Sequence, residues 1–395
     1  MDDERNGAQV RTAIRVAVTV LMAVASLALV VFLLPDGPRP AGADAPPGAV
    51  VDASESRARP AVNDLYIDCT AKGGGDGSSD RPWTTPSSLR SASLPAGASV
   101  HFKRGCSWDG AVTISGAGTA TQPVVVSAFG DGAAPILTAG SIPKTMAVLR
   151  VDAPFTRVSG LHIKGAAGPG ITLAGADSAV ADTEIESVAI GVQMRGDRTT
   201  AQRMTVHDLR MLTNTPGGND DAGAIGFAVE ASDVTITDSS CVNCVAPSYD
   251  YGTDGGFADI WNHGDRLTIS NCTATNVDGF LEVGGDLKDA SAVDVKLTGN
   301  TVKSVGGFLW LHTKGDYAMT IGRMEARGNT IVNDSKTEVL GGSIGTVEFV
   351  GNTVTSSSQV AYEAVPGVHR DNTYTLPAAV LVGFPLEASE RLTTS

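Results

Sequence analysis

Aromatic residues are scarce in this chain, at 5% of 395 residues, and basic residues are too few to balance the acidic ones. The formal net charge of −14 argues against a nucleic-acid partner, because binding to phosphates requires a basic surface. A P-loop, a nucleophile elbow and a dinucleotide-binding fingerprint are missing too. Glycine, in contrast, is abundant at 46 residues, which is typical of proteins built from turns and stacked β-strands.

The N-terminal region indicates export. Residues 16–34 form an uncharged apolar run that is long enough to cross about 30 Å of hydrocarbon, and three arginines within residues 1–15 favour a cytoplasmic N-terminus. We predict a single-pass membrane anchor with an extracytoplasmic C-terminal domain. The alternative is a signal peptide, cleaved at the small residues 43–45, and secretion. Residues 35–62, rich in Pro, Ala, Asp and Ser, are predicted to be a flexible tether.

A repeated pattern predicts the fold of the remainder. Residues 256–261, 279–284 and 307–312 share one strand-length alternation in which Asp259, Glu282 and Trp310 are equivalent. Their offsets of 23 and 28 residues suit a solenoid that adds one coil per repeat. Because leucine-rich and Trp-Asp repeats are absent, the pattern favours a parallel β-helix over residues 63–379. Residues 380–395 are predicted to be a loose C-terminal tail.

A second column supports the same register. Asn300, Asn329 and Asn352 each follow apolar residues spaced two apart. Asparagine tolerates left-handed turn conformations, and its amide can bond to the copies above and below, so these residues predict a ladder at one turn. Earlier copies align at Val158, Val180, Met204, Val234 and Leu267. Intervals of 22 to 33 residues indicate loops of uneven length at particular corners, and the inserts before residues 224 and 256 are predicted to overhang one edge.

Charge predicts which face of the repeated strand points outward. Successive side chains in a strand alternate between faces, and unpaired carboxylates inside a dry coil would cost several kcal/mol each. Asp259 and Glu282 are therefore expected outside, on adjacent coils about 4.8 Å apart. The same phase places Phe257 and Phe280 on the surface with Phe308, together with Trp261 and Trp310. Carboxylates framed by aromatic rings are typical of a site for a sugar polymer.

The five cysteines fit an exported chain, in which disulfides form. A bridge between Cys69 and Cys106 would staple the first coils. Cys241, Cys244 and Cys272 are left as an odd set in which either of the first two could pair with the third, or all three could be buried small residues. The Cys-Val-Asn-Cys spacing suits zinc, but no second ligand pair with zinc spacing accompanies it.

Several segments resemble the opening of exported right-handed parallel β-helix proteins in the pectate-lyase-like superfamily: Asp68-Cys69-Thr70, Pro82-Trp83, Phe102-Lys103-Arg104-Gly105, Ser107-Trp108 and Gly116-Ala117-Gly118-Thr119. Later segments resemble one bacterial branch of it: Tyr249-Asp250-Tyr251-Gly252, Asp254-Gly255 and Leu281-Glu282-Val283-Gly284. The resemblance covers about residues 63–375 and implies an all-β, single-stranded right-handed parallel β-helix after the N-terminal helix. The superfamily contains lyases, hydrolases, epimerases and adhesive proteins, so fold does not select the chemistry.

The outward acid pair and the inserts that overhang it predict an acidic groove. Three functions are consistent with such a groove, each with a polysaccharide as partner. A glycoside hydrolase would use one carboxyl as acid and the other as base or nucleophile. A polysaccharide lyase would use Ca²⁺ to neutralise a uronate and a Lys or His as base. A glycan-binding or adhesive protein would use rings and acids without chemistry. Candidate catalytic residues are Asp259, Glu282, Asp254, Asp250, His263 and His312. Candidate substrate-binding residues are Trp261, Trp310, Phe257, Phe280, Tyr249, Tyr251, Lys288 and Lys314.

Overall fold

The computed structural model describes residues 64–217, 220–312, 318–362 and 364–395. In that part of the chain the secondary structure is almost entirely β, with two short 3-10 helices at Pro86–Ser91 and Ile344–Thr346. None of the helices among these residues is long and apolar enough to span a membrane. The predicted membrane segment and tether, residues 16–34 and 35–62, lie outside the described residues and stay predictions.

Successive coils add strands to three parallel sheets. The first sheet contains Asp64–Ile67, Ser99–Lys103, Val124–Phe129, Thr156–Ser159, Ala179–Ala181, Thr200–Gln202, Thr235–Thr237, Thr268–Ser270, Val295–Thr298, Met324–Arg327, Val347–Val350 and Val368–Arg370. The second sheet contains Ser107–Asp109, Ile136–Thr138, His162–Lys164, Glu184–Glu186, Thr205–His207, Ser240–Cys244, Thr273–Val277, Thr301–Ser304, Thr330–Asn333, Thr353–Ser356, Thr373–Leu376 and Arg391–Thr394. The third sheet contains Val112–Ile114, Leu149–Val151, Pro169–Leu173, Ile190–Met194, Ile225–Val229, Gly256–Trp261, Leu281–Gly284, Leu309–Leu311 and Leu340–Gly342.

Stacking of equivalent apolar positions holds the coils together. In the first sheet Ile269, Leu297, Ala326 and Phe349 pair in register on consecutive coils, and each is at most 1% exposed. Such columns remove apolar surface from water at about 25 cal/mol per Å². The parallel ladders satisfy the buried backbone groups at the same time. The core is therefore a continuous apolar rod between the three sheets.

The predicted asparagine ladder is confirmed, inside the turn between the first and second sheets. The Nδ2 of Asn300 donates to Oδ1 of Asn329 at 3.0 Å, and the Nδ2 of Asn329 donates to Oδ1 of Asn352 at 2.9 Å. Asn372, which the sequence pattern did not include, accepts from Asn352. The left-handed conformation belongs not to the asparagines but to the glycine before each, with φ of 64–66°: Gly299, Gly328 and Gly351.

Two insertions interrupt the coils where the chain passes from the second sheet to the third. One forms an antiparallel pair between Met211–Thr213 and Ala222–Gly223, the other between Ala246–Ser248 and Gly252–Asp254. Both precede third-sheet strands, and the Nδ2 of Asn214 ties them together by donating to the carbonyl oxygen of Pro247 at 2.9 Å. The prediction that the inserts overhang one edge is confirmed. A short parallel pair, Ser291–Ala292 with Thr320–Ile321, completes the strands of the described residues.

Both ends of the solenoid are secured. The predicted disulfide between Cys69 and Cys106 is present near the start. At the other end, Arg391–Thr394 pairs in parallel with Thr373–Leu376. The prediction of a loose tail over residues 380–395 is therefore wrong. Its physical reason is Glu390, which is buried and accepts hydrogen bonds from the preceding coil, so the tail adds one more rung.

Candidate active site

The acid column predicted from the sequence is present on the third sheet. Asp259 pairs directly with Glu282, and Glu282 pairs with Trp310. All three side chains are partly exposed, while the residues immediately before and after each of them in its own strand are buried. Ala228 precedes Asp259 in the column and Gly341 follows Trp310. The two carboxyl-bearing residues thus lie one rung apart with small residues at either end of the row.

The phenylalanine column faces the core, which contradicts the sequence-based prediction. Phe257 and Phe280 are 0% exposed and Phe308 is 1% exposed. Their rings stack with centroids 4.8 and 5.2 Å apart. The cause is a local break in alternation where the chain turns into the third sheet, so that two successive residues point inward. At the position equivalent to Phe257 in the preceding coil, a Cβ on Gly226 would lie 2.6 Å from the Sγ of Cys241. These rings cannot contact a sugar.

The acid column forms the floor of a cleft of about 520 Å³. Its lining comes from the third-sheet strands and from the turns and loops that lead into them: Tyr251, Thr253, Asp254, Gly255, Gly256, Ala258, Asp259, Asp278, Gly279, Leu281, Glu282, Gly306, Gly307, Phe308, Leu309, Trp310, His312, Lys336, Thr337 and Glu338. The cleft therefore crosses several rungs along the solenoid axis. An extended chain molecule fits such a groove better than a compact ligand does.

His312 holds Glu282 in place. The Nε2 of His312 lies 2.9 Å from Oε1 of Glu282, and the histidine side chain is only 8% exposed, against 25% for the glutamate. Space for the imidazole is provided by Gly284, since a Cβ there would lie 3.1 Å from Cδ2 of His312 and 3.4 Å from the ring of Trp261. Trp261, Gly284 and His312 are therefore neighbours on successive rungs. Trp261 itself does not line the cleft in the described structure.

Trp310 provides the aromatic surface of the cleft. Its ring lies against Gly341 of the next coil, because a Cβ on that glycine would come 2.0 Å from Cε3 of the indole. The indole is half-buried. A ring held in this way on the floor, one rung from Glu282, can stack on the face of a pyranose.

The second hairpin supplies one wall of the cleft. Asp254 is 1% exposed, and its Oδ1 accepts the N–H of Gly255 at 2.9 Å. Tyr251 is 9% exposed and lines the same wall. Asp278 stands on the next turn, where it accepts from the hydroxyl of Thr253 at 3.3 Å. Asp254 and Tyr251 were predicted site residues, whereas Asp278 was not.

Asp250 and Tyr249 lie away from the cleft. Asp250 belongs with Asp220 and Asp221 to a group whose carboxylate oxygens lie within 4.8 Å of one another. Asp221 is fully buried and accepts from the hydroxyl of Ser248 at 2.7 Å and from backbone N–H groups of both hairpins. Burial alone would raise the pKa of Asp221, but these hydrogen bonds hold it below its ordinary value. The group staples the two hairpins together. Tyr249 is 67% exposed beside it.

Two of the remaining predicted residues, His263 and Lys288, do not line the cleft. His263 forms an isolated bridge with Ser291, and Lys288 is exposed on a loop whose backbone is anchored by Oδ1 of Asn262. Lys314 lies outside the described residues.

The cysteine pairing also differs from the alternatives expected: Cys241 and Cys244 form a disulfide. Cys272 is a buried free thiol, and burial raises its pKa to about 12.

Three charged residues of the cleft were missed by sequence reasoning. Asp278, Lys336 and Glu338 come from turns and loops, not from the repeated strands. Asp278 had a detectable signal, since it precedes Gly279 at the start of a recognised repeat. Lys336 and Glu338 had none, because their loop has no counterpart of equal length in other coils.

No protein-family model and no curated protein matches the chain. Solved structures match it by fold. The native GH136 lacto-N-biosidase from Eubacterium ramulus matches with 11% identity and a TM-score of 0.50, covering 84% of this chain and 67% of that one. The complex of XylC with xylose matches with 8% identity and a TM-score of 0.58, covering 80% and 76%. A rhamnogalacturonan lyase matches with 14% identity and a TM-score of 0.46, covering 84% and 87%.

Identities this low show the fold alone. The chain has a right-handed parallel β-helix fold, as the resemblance in its sequence predicted.

Proposed function

We propose that this protein processes polysaccharides, and that it hydrolyses a glycosidic bond in the cleft with Asp259 and Glu282 as the carboxyl pair. The observation that carries the proposal is their direct pairing on adjacent rungs of an open cleft. Like charges directly opposite each other destabilise a β-ladder, so the pair has no structural benefit of its own. Two of the proteins that share the fold are also named for sugar chemistry, a lacto-N-biosidase and a complex with xylose.

The surroundings of the two carboxyls suggest their roles. The Nε2 of His312 lies 2.9 Å from Oε1 of Glu282 and fixes the orientation of this carboxyl group, so Glu282 is assigned as the nucleophile or base. Asp259, the other member of the pair, is then assigned as the general acid. Paired positions on adjacent rungs are about 4.8 Å apart. That spacing is close to the separation of about 5–5.5 Å found in retaining enzymes.

Substrate binding is assigned to the residues beside this pair. Trp310 stacks on the sugar in the subsite next to Glu282, and Asp254 and Asp278 accept hydrogen bonds from its hydroxyl groups. A sugar polymer then lies along the solenoid axis with its scissile bond above the rung of Asp259 and Glu282.

The test is activity of Asp259→Asn and Glu282→Gln on a panel of bacterial and plant glycans, assayed for new reducing ends. We expect each variant to lose at least about a hundredfold in kcat, since general acid–base catalysis contributes that much or more. Thermal stability should stay equal or rise, because the substitutions remove a like-charge pair. Glu184→Gln, an acid in an outward column of the second sheet, is the matched control and should keep full activity.

Other outcomes would assign the cleft differently. Undiminished turnover in both variants would end the hydrolase proposal. A product with ultraviolet absorbance of an unsaturated sugar, dependent on Ca²⁺, would identify a lyase. Retention on a glycan matrix with no product under any condition would identify a binding protein.

We also propose that the β-helix is extracytoplasmic and held at the cell membrane by residues 16–34. Its two disulfides, Cys69–Cys106 and Cys241–Cys244, support this location because such bonds persist in oxidising compartments. Externally added protease should release the β-helix from intact cell membranes. Full protection until the membrane is broken would contradict the proposal.

A further inference from the structure

The cleft is closed at the end that faces the N-terminal coils. Its described lining begins at Tyr251 and includes no residue of the two preceding third-sheet strands. Gln193 and Ala228, which precede Asp259 in the same column, are only 2% and 9% exposed although they point away from the core. Outward side chains of a solenoid strand become this inaccessible only where other parts of the protein cover them. We call Gln193 and Ala228 the closed end of the cleft.

Hydrogen bonds hold the closed end in place. The hydroxyl of Thr172 donates to Oε1 of Gln193 at 3.1 Å, and the Nε2 of Gln193 donates to Oε1 of Glu230 at 2.7 Å. The Oε2 of Glu230 accepts from the Nε of Arg195 at 3.1 Å. Buried polar groups that satisfy one another are costly to separate. A bound sugar is therefore not expected to push this layer aside.

The first insertion borders the same rungs at the opposite edge. The Nζ of Lys144 donates to the hydroxyl of Thr213 at 2.8 Å, and the Nε of Arg210 donates to the carbonyl oxygen of Ala166 at 3.0 Å. Lys144 and Ala166 belong to the connections that lead into two earlier third-sheet strands. Since Asn214 joins this insertion to the second one, a continuous wall runs beside the rungs that precede Asp259.

The cleft floor continues in the other direction. Glu282 and Trp310, which follow Asp259 in the column, are partly exposed, and the next residue, Gly341, has no side chain. The indole of Trp310 lies on Gly341 and extends the floor by one rung. A glycan bound above Asp259 can therefore extend past Trp310 but not past Ala228.

Building on the function proposed above, we infer that the protein acts on the ends of glycan chains and releases one terminal sugar residue per cleavage. The bond to be cleaved lies between the rungs of Asp259 and Glu282, about 7 Å from the rung of Ala228. This distance leaves space for one sugar residue at the closed end, while the rest of the chain passes Trp310. One water is consumed: its hydroxyl group ends on the anomeric carbon and its proton on the oxygen of the departing sugar.

The test is the first product that the full chain, solubilised in detergent, forms from hexasaccharides of xylose, glucose, galactose and N-acetylglucosamine. We expect a single sugar and a pentasaccharide at the earliest times, because the closed end excludes a longer terminal segment. With the polymer of whichever hexasaccharide is cleaved, reducing ends should accumulate before the viscosity falls. Initial products of mixed length would overturn the inference and leave the hydrolase proposal intact.

A substitution at the closed end tests the space for the terminal sugar. Ala228→Leu enlarges the side chain beside Asp259 and should lower kcat/KM by at least about a hundredfold, since a displacement of about 1 Å at the reacting bond can cost that much. Ala181→Leu, at an outward alanine of the first sheet, is the matched control and should keep full activity. Thermal melting of both variants shows that they fold. Unchanged kcat/KM in a folded Ala228→Leu variant would contradict the inference.

Binding separates this inference from the proposed hydrolysis. A bulky fluorescent group at one terminus of a bound hexasaccharide should lower its affinity by about tenfold or more, because the terminal sugar no longer fits, while the same group at the other terminus should not. This result without any cleavage would support the inference and overturn the hydrolase proposal. Equal affinities with the group at either terminus would overturn the inference. Neither cleavage nor binding of any of the four hexasaccharides would overturn both.

Discussion

At the scale of single residues, the cleft depends on glycines that make room for its functional side chains. Gly341 lets the ring of Trp310 lie flat on the next coil, and Gly284 leaves space for His312 between two rungs. Neither position has a left-handed backbone. Their requirement for glycine is therefore steric, and an added methyl group would act on the neighbouring ring more than on the chain itself.

Gly341→Ala should weaken glycan binding about fivefold, since stacking on an aromatic ring contributes roughly 1 kcal/mol and a displaced ring of Trp310 loses it. Turnover at saturating substrate should fall less, because Asp259 and Glu282 stay in place. The measurement is KM and kcat on the best substrate. Gly345→Ala is the matched control, since a Cβ there meets nothing within 4 Å. Equal KM values for the two variants would exclude Trp310 from substrate binding.

At the scale of strands and turns, ladders of identical positions decide the register. Charged residues also form a ladder, at the corner before the first sheet. The residues at this corner have a left-handed backbone, and the sign of their charge alternates from coil to coil: Asp177, Arg198, Asp233, Arg266 and Asp294. Arg198 contacts Asp177 with two hydrogen bonds of 2.8 Å, and Arg266 contacts Asp233 with two of 2.6 and 2.8 Å. These contacts hold the pKa of both aspartates below the ordinary value. Because the pairs are exposed, they contribute little stability in salt.

The buried asparagine ladder should contribute far more. Asn329→Asp removes two donors that satisfy the carbonyl oxygen of Leu297 and the Oδ1 of Asn352, and it introduces a carboxyl group into a site that is 1% exposed. We expect a loss of about 3 kcal/mol in the free energy of unfolding. Asn276→Asp makes the same chemical change on an exposed ladder and should cost less than about 0.5 kcal/mol. Denaturant titration of both variants provides the comparison, and equal costs would contradict it.

Strictly repeated features, including the asparagine ladder at one turn, could be predicted from the sequence, and features of irregular connections could not. The pairing of Asp259 with Glu282 followed from the repeat because both lie in the middle of a regular strand. Phe257 was assigned to the wrong face because alternation breaks where the chain turns into the third sheet. Met204 was aligned with Val180, but the residue that pairs with Val180 is Ala201, three positions earlier in the sequence. The variable loop length between coils concealed this shift.

The cleft walls show the same limit. Asp278 and Glu338 lie on connections of unequal length, so periodicity carries no information about them. The staple formed by Asp221 was equally hidden, because its partners lie in a different insertion. Sequence therefore predicted the floor of the site and, with Asp254 and Tyr251, one wall, and the structure was needed for the rest of the lining.

At the scale of the whole molecule, stability depends on how the solenoid is closed. Each coil contacts only its neighbours, so the last rungs are stabilised on one side alone. The C-terminal end compensates with Glu390, whose side chain is completely buried. Its Oε1 accepts from Asn372 at 2.7 Å and from the hydroxyl of Tyr374 at 2.9 Å, and its Oε2 lies 2.8 Å from Nδ1 of His369. One carboxylate thus ties the tail to the asparagine ladder.

This closure should be sensitive to acid. Burial would raise the pKa of Glu390, but hydrogen bonds from Asn372, Tyr374, His369 and a backbone N–H outweigh it and hold the pKa below its ordinary value of 4.5. A depressed pKa in the folded state means that the carboxylate stabilises the fold above pH 4.5 and that this contribution is lost as the pH falls through the folded-state pKa. The last rung, Arg391–Thr394, should then open before the rest of the solenoid.

Hydrogen exchange of the amides in Arg391–Thr394 measures this opening directly. Glu390→Gln should reduce their protection at pH 7 by an amount equivalent to about 2 kcal/mol, and the difference from the unmodified protein should shrink below pH 4.5 and vanish once the pH has fallen through the lower folded-state pKa of Glu390. Glu387→Gln, an exposed acid of the same tail, should leave protection unchanged. Because coils interact only with neighbours, amides near Asp259 should keep their protection in both variants. A loss that spreads to Asp259 would show instead that the solenoid unfolds as one unit and that its end does not act locally.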